Sequence, residues 1–142
     1  MVVADKIPLY VPYLDQSDEE AVSERVRQKW IVGDGPKCRE FEKAFADYLG
    51  VRFALLTTSC TAALDLAFMA LGLGKGEVII PDYTFTSTAL APMLNGLDIK
   101  LCDVEYHTAN IDPELIEDCI TENTKAIVSV DYAGHPCRID QI

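Results

Sequence analysis

The stretch FALLTTSCTAALDLAFMALG, residues 53–72, contains a short apolar run, a polar turn of small residues and a longer apolar run. The first run, residues 53–57, has the length and composition of a buried strand. The second run, residues 61–71, is long enough for a helix, and Gly72 follows it as a stop signal. The sequence therefore predicts a strand that passes through a tight turn directly into a helix.

Strands and helices continue to alternate downstream of this stretch. Further apolar runs predict strands at residues 78–80, 99–102 and 126–130, and helical segments at 87–94 and 113–120 separate them. Strands joined by helices form a parallel sheet that is covered on both faces. The sequence therefore predicts an α/β fold with four parallel strands.

The amino-terminal part of the chain lacks this alternation. The sequence SDEE at residues 17–20 has the pattern of a capping box and predicts a helix that begins at its serine. A second helix is predicted from about residue 37 to 49, with Gly50 as its stop. We therefore divide the chain into a helical segment, residues 1–50, and an α/β segment, residues 51–142.

The composition is that of a globular protein with an acidic surface. Apolar residues make up 49% of the chain, and 23 acidic residues against 12 basic residues give a formal net charge of -11. A nucleic-acid-binding protein needs clustered basic residues to neutralise phosphates, and the sequence has no such cluster. We therefore expect no nucleic-acid partner.

The five cysteines and two histidines do not form a metal-binding pattern. No two cysteines are close enough for a CxxC motif, and an odd number of scattered cysteines fits reduced thiols in the cytoplasm. The sequence shows no signal-peptide pattern, and no apolar run approaches the roughly 20 residues that span a bilayer. We expect a soluble cytoplasmic protein without a metal and without a membrane partner.

The carboxyl ends of the predicted strands are the places to look for a ligand site, because ligands bind there in open parallel sheets. After the first strand, the turn TTSCTAAL at residues 57–64 presents hydroxyl groups, backbone amides and the positive end of a helix dipole. A phosphate group fits this turn. The alternative is an ordinary Ser/Thr helix cap that binds nothing.

The segments after the second and fourth strands are also candidates. PDYTFTSTA at residues 81–89 contains two aromatic residues among hydroxyl side chains. Tyr83 or Phe85 could stack on a flat heteroaromatic ligand, or both rings could pack into the core. Asp131 could face a ligand or make local backbone hydrogen bonds. His135 is more typical of a loop residue than of a catalytic base.

Taken together, these segments resemble the DegT/DnrJ/StrS-type aminotransferases, which act on nucleotide-linked keto-sugars. The resemblance extends over essentially the whole chain and rests on short motifs in matching order and spacing. These motifs are GDG at 33–35 with FE at 41–42, SCTAAL at 59–64, PDYTFTST at 81–88, DV at 103–104 with NID at 110–112, TKAI at 124–127 and DYAG at 131–134.

The resemblance implies an aspartate-aminotransferase-like (fold type I) large domain, incomplete here, with a three-layer parallel or mixed sheet that binds pyridoxal 5'-phosphate. By analogy, Cys60, Thr61 and Ala62 hold the cofactor phosphate, and Phe85 stacks on the pyridine ring. The implied reaction moves an amino group, with glutamate as the expected donor, to a nucleotide-linked keto-sugar. The implied substrates are therefore a nucleotide sugar and an amino acid, and the implied assembly of the full-length enzyme is a homodimer.

Transamination needs a lysine that bonds to the cofactor and moves a proton, and a carboxylate at the pyridine nitrogen. In the family, both lie downstream of the point where this chain ends. The seven lysines form two groups, three that begin or precede predicted strands (Lys75, Lys100, Lys125) and four in the amino-terminal segment (Lys6, Lys29, Lys37, Lys43). We therefore expect the amino-terminal part of a longer enzyme, inactive by itself and with no catalytic residue of its own. The alternatives are a sugar dehydratase of the same fold, with histidine in place of the lysine, and an inert domain that binds a phosphate-bearing ligand.

Overall fold

The computed structural model describes residues 11–142, which divide into two compact units between Leu56 and Thr57. The predicted boundary between the helical and α/β segments, at residue 50, lies a few residues earlier and stays a prediction. Lys6 and the rest of residues 1–10 lie outside the described residues. Within residues 11–142, no helix has the length and apolar character needed to cross a bilayer.

The first unit contains two helices, α1 (Gln16–Arg27) and α2 (Pro36–Leu49). The predicted start of α1 at Ser17 was wrong, because Asp15 caps the helix instead. The Asp15 carboxylate accepts hydrogen bonds from the Ser17 amide and hydroxyl, and the Asp18 carboxylate accepts from the Asp15 amide at 2.9 Å. The capping box is thus present two residues earlier than predicted, with aspartates in both roles.

The second unit contains the alternating elements. They are α3 (Cys60–Leu71), β1 (Glu77–Pro81), α4 (Ser87–Leu94), β2 (Asp98–Cys102), α5 (Pro113–Cys119), β3 (Thr124–Ile127) and two short 3-10 helices at Tyr132–Gly134 and Ile139–Gln141. The three strands form a parallel sheet in the order β2-β1-β3, with Ile79 opposite Lys100 on one side and Ile127 on the other. The predicted parallel α/β fold is therefore confirmed.

Alternation along β1 places a core on each face of the sheet. Val78 and Ile80 pack with Phe68 of α3 and Ala91 of α4. Ile79 points to the opposite face and packs with Cys102, Ile111 and Ile116 of the β2–α5 region. Successive side chains of a strand point to opposite faces, so a continuous apolar run fits a strand that is covered on both sides. The described layers are α3 and α4, the sheet, and α5.

The strand predicted at residues 53–57 is not formed in the described chain. Phe53 and Leu55 are 75% and 76% exposed, and the Leu56 amide donates to the Glu42 carboxylate at 2.8 Å rather than to a strand. A strand needs a neighbouring strand to satisfy its backbone groups, and none lies beside this segment within residues 11–142. The apolar pattern alone therefore predicted a strand at residues 53–57 that has no partner strand within residues 11–142.

Of the three lysines that were expected to begin or precede strands, one lies before a strand and two lie within strands. Lys75 precedes β1, as predicted. Lys125 is instead the second residue of β3, because β3 begins and ends earlier than the strand predicted at residues 126–130. Lys100 is the third residue of β2, opposite Ile79, one position further into the strand than in the predicted strand 99–102, because β2 begins at Asp98. It is exposed there and remains away from the carboxyl end of the strand.

Candidate functional site

A groove of about 490 Å³ lies within the second unit at the carboxyl ends of β1 and β3. The starts of α3 and α4 and the segment after β3 form its walls. Its lining residues are Cys60, Thr61, Leu64, Thr84, Phe85, Ser87, Thr88, Val128, Ser129, Val130, Asp131, Tyr132 and Ala133. The site is therefore at the edge of the sheet where parallel α/β proteins bind ligands.

The first turn of α3 forms one wall of the groove. Ser59 is the N-cap residue, and its side-chain oxygen accepts a hydrogen bond from the Ala62 amide at 3.1 Å. The amides of Cys60 and Thr61 have no acceptor among residues 11–142, and both residues line the groove. The first amides of a helix lack intrahelical partners and carry partial positive charge, so they attract an anion.

The three residues that were predicted to hold a phosphate differ in their position relative to the groove. Cys60 and Thr61 face the groove, whereas Ala62 does not line it and its amide already donates to Ser59. The helix-cap alternative is thus present at this turn, and the phosphate site stays a prediction. The cap uses one amide, and two amides remain available for a ligand.

The segment between β1 and α4 forms a second wall. Phe85, predicted to stack on the cofactor ring, lines the groove and is 73% exposed, so its ring does not pack into the core. In the same wall, the hydroxyl groups of Thr84 and the buried Thr88 form a hydrogen bond of 2.9 Å. An exposed aromatic ring next to a helix start can present its face to a flat ligand.

The third wall begins at Asp131, whose carboxylate is held in place by its own chain. Its Oδ1 accepts a hydrogen bond from the Cys137 amide at 2.9 Å. This bond, then the Cys137 side chain and the nearby His135, lower the pKa of Asp131 below its usual value. Asp131 therefore carries a negative charge at neutral pH, and it makes the local backbone bond that was one of the two predicted alternatives.

Tyr132 was not singled out by the sequence, yet it lines the groove. Its hydroxyl donates to the Tyr83 hydroxyl at 3.2 Å, and the two ring centroids are 5.0 Å apart. This hydrogen bond raises the pKa of Tyr132, so the phenol is neutral at physiological pH. The signal missed in the sequence was an aromatic residue at each of two strand ends, because only the sheet order brings the two together.

No group of three or more possible metal ligands occurs among residues 11–142. The groove instead fits a phosphorylated aromatic cofactor such as pyridoxal phosphate. It combines two available amides at the start of α3 with an exposed ring at Phe85, and its volume is in the ordinary range of ligand pockets. Fold and site together define an α/β protein with a ligand groove at the carboxyl edge of a parallel sheet.

Comparison with known proteins assigns this α/β chain to a family. The sequence profile of the DegT/DnrJ/EryC1/StrS aminotransferase family matches residues 12–142. The chain belongs to this family, as its motifs predicted. The family comprises sugar aminotransferases and related dehydratases of the pyridoxal-phosphate (PLP) fold.

Individual relatives agree with this assignment. The chain is 39% identical over 137 residues to the spore coat polysaccharide biosynthesis protein SpsC of Bacillus subtilis, covering 96% of this chain and 35% of SpsC. The structure matches Helicobacter pylori PseC, an aminotransferase involved in the biosynthesis of pseudoaminic acid. The TM-score is 0.84 and the identity 33%, over 92% of this chain and 36% of PseC.

A sugar dehydratase is structurally similar as well. A GDP-4-keto-6-deoxymannose-3-dehydratase with a trapped PLP-glutamate geminal diamine matches with a TM-score of 0.88 and 29% identity, over 96% of this chain and 37% of the dehydratase. The predicted fold type and the predicted cofactor are thus confirmed at the level of the family. The chain spans about a third of the length of the relatives it matches.

Proposed function

We propose that this chain binds the phosphate and ring of pyridoxal phosphate in the groove at the carboxyl ends of β1 and β3. It would do so as the amino-terminal part of an enzyme that moves an amino group from an amino acid, with glutamate as the expected donor, to a nucleotide-linked keto-sugar. The observation that carries the proposal is that Cys60 and Thr61, whose amides are available, line the same groove as the exposed ring of Phe85.

The residues of the groove would divide the work of holding the cofactor. The Cys60 and Thr61 amides donate to the phosphate, and the α3 dipole favours its negative charge. Phe85 offers a ring face to the pyridine, which removes apolar surface from water. When bound, the cofactor supplies the electron-withdrawing ring that makes amino transfer possible.

The rest of the groove contains one ionised carboxylate among neutral side chains. Asp131 is ionised, and Tyr132 and Thr84 line the same groove with neutral side chains. No lysine of residues 11–142 lines the groove. We therefore propose that the 142-residue chain holds the cofactor without a covalent bond and does not transfer amino groups by itself.

The relatives support the sugar substrate and leave a second candidate reaction. SpsC is named for polysaccharide biosynthesis, and PseC for pseudoaminic acid. The similarity to a keto-sugar dehydratase favours dehydration as the alternative. The homodimer and the cytoplasmic location expected from the sequence stay predictions.

Calorimetric titration of the 142-residue chain tests the proposed site. Pyridoxal phosphate should bind, pyridoxal without the phosphate should bind more weakly, and inorganic phosphate should compete. Phe85→Ala should weaken binding of the cofactor without loss of stability, because the ring is exposed. Phe53→Ala is the matched control, since Phe53 is equally exposed and belongs to the other unit. Equal affinity for the two pyridoxal compounds would contradict the phosphate site.

A further inference from the structure

The groove wall that follows β3 contains a turn that an alanine does not adopt readily. Within the 3-10 helix Tyr132–Gly134, Ala133 has φ 52° and ψ 24°, and Gly134 has φ 80°. Left-handed backbone is unfavourable for alanine because its Cβ approaches the carbonyl oxygen. Such conformations persist where the surrounding structure holds them, and they cluster at functional sites.

One buried side chain brackets this turn. Asn110, only 2% exposed, accepts a hydrogen bond from the Tyr132 amide at 2.9 Å through its Oδ1, and the same amide also donates to the Val130 carbonyl oxygen at 2.9 Å. Its Nδ2 donates to the His135 carbonyl oxygen at 3.0 Å. The single amide group therefore fastens the residue before Ala133 and the residue after Gly134, and a buried amide with both ends bonded is stable where it is.

Asn110 is itself fixed by the segment that precedes α5. Its carbonyl oxygen accepts from the Glu105 amide at 2.8 Å, and its amide donates to the Thr108 hydroxyl at 3.2 Å. An antiparallel bridge between Val104 and Ile111 closes the same loop. The side chain thus extends from a rigid support to the wall of the groove.

From this arrangement we propose that Asn110 is a positioning residue for the cofactor site. It holds the strained turn so that Asp131, Tyr132 and Ala133 form the wall of the groove. The effect on the cofactor rests on the proposed function, whereas the effect on the turn does not. Only a side chain with a donor and an acceptor at this spacing can serve, because it must bond an N–H and a carbonyl at once.

Asn110→Asp is the sharpest variant, because it keeps the acceptor for Tyr132 and replaces the donor to His135 with a carboxylate oxygen. Asn95→Asp is the matched control. Asn95 also makes two side-chain hydrogen bonds within the second unit, at 2.9 Å to Asp65 and 2.8 Å to the Ala91 carbonyl. Neither of these partners lines the groove.

Amide hydrogen exchange and cofactor titration give the two readouts. In the wild type, the Tyr132 amide should exchange more slowly than that of Ala133. In Asn110→Asp, the bond to the His135 carbonyl is lost and local opening of the turn becomes easier. Exchange at Tyr132 should therefore accelerate about tenfold, even though this amide keeps its acceptors on residue 110 and Val130 in the closed state. Affinity for pyridoxal phosphate should fall about tenfold or more, since the wall is displaced. Urea unfolding measures how much stability each variant loses. If Asn95→Asp loses as much as Asn110→Asp, it should still change neither the exchange rate at Tyr132 nor the affinity for pyridoxal phosphate.

The outcomes separate the two proposals. If the Tyr132 amide of the wild type exchanges as fast as an unprotected amide, the inference is overturned. This measurement needs no variant, so the inference can be tested even if Asn110→Asp does not fold. Unchanged exchange in a folded Asn110→Asp would also overturn it. Accelerated exchange with unchanged cofactor affinity would show that Asn110 does not position the binding site. A wild-type chain that binds no pyridoxal phosphate would refute the proposed function, and the exchange measurement would then decide the role of Asn110 in the turn.

Discussion

Replacing Thr61 with glutamate should weaken anion binding while leaving the fold intact or slightly more stable. Thr61 is exposed, lines the groove and occupies the second position of α3, where its amide has no acceptor within the described residues. A carboxylate there competes with a bound phosphate for the same positive region. The same carboxylate interacts favourably with the helix dipole, which contributes about 0.3–1 kcal/mol to stability.

The size of the binding effect follows from the charge separation. Two unit charges about 5 Å apart repel by ~0.8 kcal/mol in bulk water and by ~3.3 kcal/mol at an effective dielectric constant of about 20. Because Thr61 is exposed at the groove, the penalty should lie between these limits, near 2 kcal/mol, or roughly a 30-fold loss of affinity. The loss should shrink as salt is added, because exposed charges are screened.

Calorimetric titration with pyridoxal phosphate, in parallel with urea unfolding, measures both effects. Thr61→Gln is the matched control, because glutamine has nearly the size of glutamate and no charge. It should retain most of the affinity. If Thr61→Glu binds the cofactor as tightly as the wild type, the phosphate does not lie at the start of α3 and the reasoning is refuted.

Three further predictions concern the core, the groove wall and the lysines. Ile79→Ala removes three carbon groups from a fully buried position, about 2.4 kcal/mol at about 0.8 kcal/mol each, and the cavity should bring the loss of unfolding free energy to about 3–4 kcal/mol. Urea unfolding checks this against Ile139→Ala, a change at an exposed residue, and equal stability of the two variants would contradict the described core. The lowered pKa of Asp131 predicts that its ionised form contributes stability above its ordinary pKa of about 3.9, and that this contribution is lost as the pH falls through the lower folded-state value. The stability difference between the wild type and Asp131→Asn should therefore shrink in acid, and a difference that is constant between neutral pH and pH ~3 would disprove it. Borohydride reduction of the chain with pyridoxal phosphate, followed by peptide mapping, should label no lysine stoichiometrically, whereas full labelling of one lysine would show that the active site is elsewhere.

Several elements could be predicted from local sequence because their causes are local. The ends of α2 and α3 follow from Gly50 and Gly72, which adopt left-handed backbone at φ 67° and φ 55°. The bounds of α4 were predicted correctly, because the residues that start and stop this helix lie within a few positions of its ends. The family motifs also identified the cofactor, since they are read directly from the order of the residues.

Where local signals compete, the sequence pattern was less reliable. Both Asp15 and Ser17 are good capping residues, and the pattern did not reveal that the carboxylate of Asp15 would bind the Ser17 amide. The apolar run at residues 53–57 has the composition of a strand, but a strand depends on a partner that sequence pattern does not supply. Such choices depend on which neighbours are available in space.

The sequence by itself determined the α/β class, the family and the residues at the start of α3. Tertiary structure alone decided which of these residues share a groove. Cys60 and Asp131 are brought to one edge because β1 lies between β2 and β3, and Asn110 meets Tyr132 because the loops beyond the sheet pack together. The physical reason is that caps and helix stops depend on a few adjacent residues, whereas strand order and loop contacts depend on the free energy of packing the whole unit.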